Sequence, residues 1–142
     1  MEENINALDE ISKGANMGMD AINFIIEKTE DADLKKEIET EYQEYEKINN
    51  EIDKIYYKYN DKDPYKTSAM NKAMTWSGIE MRTLNDNSTS KLAELLIQGV
   101  NMGIIEGRKI INKKKMNREV EKIVKKYVTM QEKNLDNLKA FL

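Results

Sequence analysis

Residues 34–59 read LKKEIETEYQEYEKINNEIDKIYYKY, and their spacing decides the fold. Leu34, Ile38, Tyr45, Ile48, Ile52, Ile55 and Tyr59 follow one another in steps of four and three, with Glu41 at the single place where the pattern asks for an apolar side chain. Such steps align the side chains in one stripe along an α-helix. Asp31 or Asp33 suits the N-cap, and Glu37 and Glu39 suit the positive end of the helix dipole. The spacing predicts a helix over 33–59.

The same period recurs on both sides. Ile5, Leu8, Ile11, Ala15, Met19, Ile22, Ile25 and Ile26 predict a helix over 5–28. Leu92, Leu95, Leu96, Val100, Ile104 and Ile111 predict one over 89–113. Val120, Val124, Tyr127, Leu135, Leu138 and Phe141 predict one over 118–141, capped by Asn117. About 25 residues make a helix of roughly 38 Å. Asp63 followed by Pro64, the chain's only proline, reads as a helix start, so a shorter helix is expected over 64–84. Residues 85–90 (NDNSTS) end it and cap the next. Short links near residues 30 and 115 imply helical hairpins. The expectation is one all-α domain over 1–142: an antiparallel four-helix bundle of two hairpins, joined by a long crossover that contains the extra helix.

Composition narrows the chemistry. The 142 residues carry 23 Lys+Arg, 26 Asp+Glu, no His and no Cys. Disulfides, thiolate metal sites, histidine acid–base catalysis and histidine metal ligands are excluded. Any metal would be a hard cation held by carboxylates, amides and carbonyls. No phosphate loop or other enzyme motif is present, so no cofactor is expected and the chain reads as non-enzymatic. The acidic start (MEENINALDE) has neither the basic nor the apolar part of a secretory leader, and no run approaches the roughly 20 apolar residues of a membrane span. A cytoplasmic protein is expected. Twenty Lys against three Arg, with abundant Asn and Ile, hint at an AT-rich bacterial genome.

An internal similarity links the two halves. Gly14-Ala15-Asn16-Met17-Gly18-Met19 matches Gly99-Val100-Asn101-Met102-Gly103-Ile104 at an offset of 85. An offset of 86 superimposes Leu34 on Val120, Ile38 on Val124, Ile52 on Leu138 and Ile55 on Phe141. Two similar hairpins about a pseudo-twofold axis would produce this pattern. Gly14 and Gly18 share one helix face, as do Gly99, Gly103 and Gly107. Glycine inside a helix costs about 1 kcal/mol relative to alanine, so the repeated use calls for close approach. The expectation is that the first and third long helices touch each other along these faces.

Two hairpins with a long crossover resemble the ferritin-like superfamily, and the chain is also similar to small bacterial families of helical bundles. The superfamily's di-iron site draws Glu from two helices and Glu-x-x-His from two more. The nearest counterparts are Glu41-x-x-Glu44 and Gln131-x-x-Asn134, without histidine, so the resemblance implies a degenerate member. Buried charges must be paired or coordinated. Polar residues in the seams, among them Glu41, Gln131, Asn134, Asn16 and Asn101, therefore read mainly as a hydrogen-bonded layer that fixes register, or as partly exposed positions. The sharper reading is a carboxylate site for a divalent cation, with Glu41, Glu44 and Asp20 or Glu106.

Residues 27–53 hold 11 acidic and 4 basic side chains, and residues 108–126 hold 9 basic and 2 acidic. The basic stretch reads as a solvated helix end that complements a helix C-terminus. Scarce arginine and the absence of interleaved aromatics argue against nucleic acid. Met70, Met74, Trp76 and Met81 make the crossover helix rich in methionine. Part of that surface is expected to be a lid on the bundle, with methionine filling gaps, and the rest a dimer contact. The function expected is protein–protein contact by a homodimer. The alternatives are a vestigial metal-binding bundle and an apolar-ligand carrier with a cavity between the glycine faces.

Overall fold

The computed structural model describes residues 2–64 and 68–142. They form five helices in chain order: α1 Glu2–Ile26, α2 Ala32–Tyr56, α3 Ala69–Thr83, α4 Thr89–Lys113 and α5 Arg118–Lys139. No other regular structure occurs among the described residues. The protein is an all-α helical bundle. None of its described helices is long and apolar enough to cross a membrane.

The ends of the helices follow from local chemistry. Asp31 caps α2, its side chain accepting from Leu34 N at 2.8 Å. Ser88 caps α4 by accepting from Lys91 N. At the end of α1, the Ile25 carbonyl accepts from both Lys28 N–H and Thr29 Oγ1, each at 2.9 Å. Asn117 occupies the N-cap of α5 but its side chain makes no capping bond. Instead its Nδ2 donates to Tyr59 Oη, and its backbone N–H donates to Asn4 Oδ1 at 2.8 Å.

The start of the crossover helix differs from expectation. Pro64 lies outside any helix, and residues 65–67 of the expected span 64–84 lie outside the described residues. The helix begins at Ala69, with Ser68 as its cap accepting from Asn71 N. A serine whose hydroxyl reaches the third backbone N–H supplies the missing acceptor directly, which Asp63 is too distant to do.

Helices α1, α2, α4 and α5 enclose the core. Leu8, Ile11, Ile25, Leu34, Ile38, Ile48, Ile52, Leu92, Tyr127 and Leu138 are all fully buried. The most extensive packing joins α1 to α2 and α4 to α5, while α1 also meets α4 and α5, and α2 meets α5. Helix α3 packs on α1 and α4 and buries only Ile79 and Thr83. The methionines expected to fill gaps do not: Met70, Met74 and Met81 are exposed, because Ile79 and Thr83 occupy the inward face.

The repeat extends to burial. Leu34/Val120, Ile38/Val124, Glu41/Tyr127, Tyr45/Gln131, Ile48/Asn134 and Ile52/Leu138 are buried in both members of each pair. So are Ala7/Leu92, Leu8/Ala93, Ile11/Leu96, Ala15/Val100, Ile22/Gly107 and Ile25/Ile110, at the other offset. The caps Asp31 and Asn117 are counterparts as well.

Candidate functional site

A polar layer crosses the middle of the core. Tyr45 on α2 and Tyr127 and Gln131 on α5 are all buried. The Tyr45 hydroxyl donates to Gln131 Oε1 at 2.8 Å, and Gln131 Nε2 donates to Tyr127 Oη at 3.0 Å. The three side chains thus form a short chain of hydrogen bonds away from water, where each bond is stronger and each unpaired group more costly than at the surface. Burial is the main cause that pushes the Tyr45 and Tyr127 hydroxyls above the usual phenol range, so both stay neutral.

Gly14, Gly18 and Gly103 leave room for this layer. A methyl group placed on Gly18 would lie 2.6 Å from the Tyr45 ring, and one on Gly103 would lie 2.6 Å from Gln131 Nε2. On Gly14 it would run into the Tyr127 hydroxyl, and on Gly107 into Val128. Gly99 has nothing within 4 Å. The expectation that α1 and α4 touch each other along the glycine faces is therefore corrected. Side chains from α2 and α5 fill the notches at Gly14, Gly18, Gly103 and Gly107, and a methyl group on Gly99 would meet nothing. The cavity expected between those faces is likewise filled by tyrosine and glutamine. Two open surface grooves lie elsewhere. One runs between the start of α2 and the end of α5, the other between α1 and the end of α4, and charged and polar residues dominate both.

Beside the hydrogen-bonded chain lie Glu41 and Asn134, with 1% and 0% of their surface exposed. Glu41 Oε2 and both amide atoms of Asn134 have no hydrogen-bonding partner in the protein. Burial, reinforced by the Glu37 and Glu44 charges, pushes the Glu41 carboxyl up to about 9, so it is protonated at neutral pH.

The cation site expected from Glu41, Glu44, Asp20 and Glu106 does not assemble. Among the described residues no three carboxylates gather closely enough to hold a metal ion. Glu106 faces solvent beside Lys109, 3.8 Å away, and Asn101 is also exposed. Asp20 is buried with Oδ2 unpartnered, and Glu44 is half-buried. The four carboxylates therefore do not form one ligand set for a divalent cation.

Two further features emerge. Where α2 ends and α5 begins, Glu119 accepts from the Tyr59 hydroxyl and from Lys58 Nζ at 3.2 Å. These bonds, the Tyr59 one above all, hold its carboxyl below the usual range. The periodicity placed Tyr59 in a seam but gave no sign of this partner. On the outer surface, Met70, Met74, Trp76, Met81 and Leu84 are 51–77% exposed, and so are Met102 and Ile105 on α4, at 64% and 53%. No protein-family model, curated protein or solved structure matches the chain.

Proposed function

We propose that the protein is a non-catalytic helical bundle that works through protein contact, as a homodimer joined on the outer face of α3. One observation carries this reading: Met70, Met74 and Met81 stand exposed together on the face of α3 opposite Ile79 and Thr83, with Trp76 half-exposed on the flank beside Thr83. Clustered apolar surface of this kind marks interaction sites, and Trp and Met are enriched at interface centres.

The architecture we infer is an antiparallel four-helix bundle of two hairpins with a crossover, ferritin-like in plan and without the di-iron chemistry. Its support is the order of contacts. Gly18 meets Tyr45 while Asp9 meets Tyr56; Tyr45 meets Gln131 while Tyr59 meets Glu119; Asn4 meets Asn117 while Gly14 meets Tyr127.

Sedimentation velocity across the micromolar range tests the dimer. The wild type is expected to sediment as a dimer, and a Met74→Glu, Trp76→Ala variant as a monomer of unchanged helicity. Trp76 is the only tryptophan, so its emission should shift to the blue as concentration rises. A wild type that stays monomeric throughout would remove the reading.

A further inference from the structure

Glu41 Oε2 on α2 and both amide atoms of Asn134 on α5 are buried without a partner, as are Asp20 Oδ2 on α1 and Asn49 Oδ1 on α2. Contacts along the α2–α5 seam run in opposite directions on the two helices: Tyr45 with Gln131, Glu51 with Lys126, Lys58 and Tyr59 with Glu119. Glu41 is one turn before Tyr45, and Asn134 is nearly one turn after Gln131. The same progression brings Glu41 and Asn134 to one level. The buried stripe neighbours on their own helices, Ile38 and Leu138, are apolar and offer no hydrogen bond from their side chains.

A fully buried amide with neither its oxygen nor its nitrogen satisfied is costly, about 1–3 kcal/mol for each group. The species that satisfies these atoms must donate to Asn134 Oδ1, accept from Asn134 Nδ2–H and bond to Glu41 Oε2. It must also be small and uncharged. A metal cation would need several carboxylates, and among the described residues no three gather closely enough to hold one. An anion would meet the Asn134 carbonyl and the acidic neighbours Glu37 and Glu44. Water meets every requirement, and buried water in proteins makes about three such bonds to otherwise orphaned groups.

We propose that the α2–α5 seam at Glu41 and Asn134 is an internal water site, in which ordered water bridges the Glu41 carboxyl and the Asn134 carboxamide. This extends the polar layer beyond Gln131 and completes its hydrogen bonding. The inference is independent of how the α3 surface is used.

Nuclear magnetic resonance of the full chain tests it. The Asn134 Nδ2–H protons should show cross-peaks to water of the sign that marks long residence. Oxygen-17 relaxation dispersion should fall in a Glu41→Met, Asn134→Leu double variant that keeps wild-type helicity. No water cross-peak at Asn134, or an undiminished dispersion in the folded double variant, overturns the proposal. If the double variant does not fold, the wild-type cross-peaks decide alone. A small molecule retained in native mass spectrometry and lost in Glu41→Gln would also overturn it, in favour of a different occupant.

Discussion

The Tyr45 hydroxyl and Gln131 Oε1 are 2.8 Å apart, and the two residues are counterparts in the internal repeat, 86 positions from each other. A contact between counterparts joins the two halves of the chain at their shared centre. Tyr45→Phe should leave Gln131 Oε1 without its donor in a dry core, at a cost of about 1–3 kcal/mol by urea unfolding. Pairing it with Gln131→Leu should cost less than the two single changes together, since the bond is already lost.

Substitution of the glycines by alanine should change stability in opposite directions. Gly99→Ala meets nothing within 4 Å and should stabilise the protein by up to about 1 kcal/mol, the ordinary helix-propensity gain. Gly18→Ala gains the same propensity but drives a methyl into the Tyr45 ring, 2.6 Å away, and should destabilise on balance. Thermal unfolding of the two variants side by side checks the contrast.

Glu41 should make the fold less stable in alkali. Its folded-state value of about 9 lies above the unfolded value of 4.5, so between these pH values the native state holds a proton that the unfolded state has released. Stability contributed by this group is complete below pH 4.5. It declines by at most about 1.4 kcal/mol per pH unit as pH rises, and the loss is complete above about 9. Glu41→Gln should flatten that slope in urea titrations at pH 5, 7 and 9. An identical slope in the variant would exclude Glu41 as its source.

Ser68 and Asp63 separate the two accounts of where α3 begins. Ser68→Ala removes the acceptor for Asn71 N–H and should raise amide hydrogen exchange in the first turn of α3, the effect of losing about 1 kcal/mol of capping. Asp63→Ala should leave those amides unchanged.

The long elements were legible because their stripes are nearly unbroken. The boundaries of α4 agree with those read from the sequence, and Asp31 caps α2 as the spacing allowed. Pro64 misled because proline at a first helical turn is a strong signal on its own, while Ser68 becomes visible as a cap only once its hydroxyl is seen on Asn71. The glycine spacing signalled close approach without naming the visitor. A glycine reports that space is needed, and only tertiary placement shows that Tyr45, Tyr127 and Gln131 fill it. Glu41, Gln131 and Asn134 were recognisable as misfits in apolar stripes. Which of them bond to each other depends on the facing helices, and no periodicity within one helix contains that.

The contact between Tyr45 and Gln131 also has a consequence for two similar halves carried on one polypeptide. Two identical hairpins meeting as separate molecules would present the same residue from both sides, Tyr to Tyr or Gln to Gln. A covalently joined pair is released from that constraint. One half can supply the donor and the other the acceptor, and each later substitution need suit only one side. The mismatch at the centre is thus a freedom that one polypeptide carrying both halves permits.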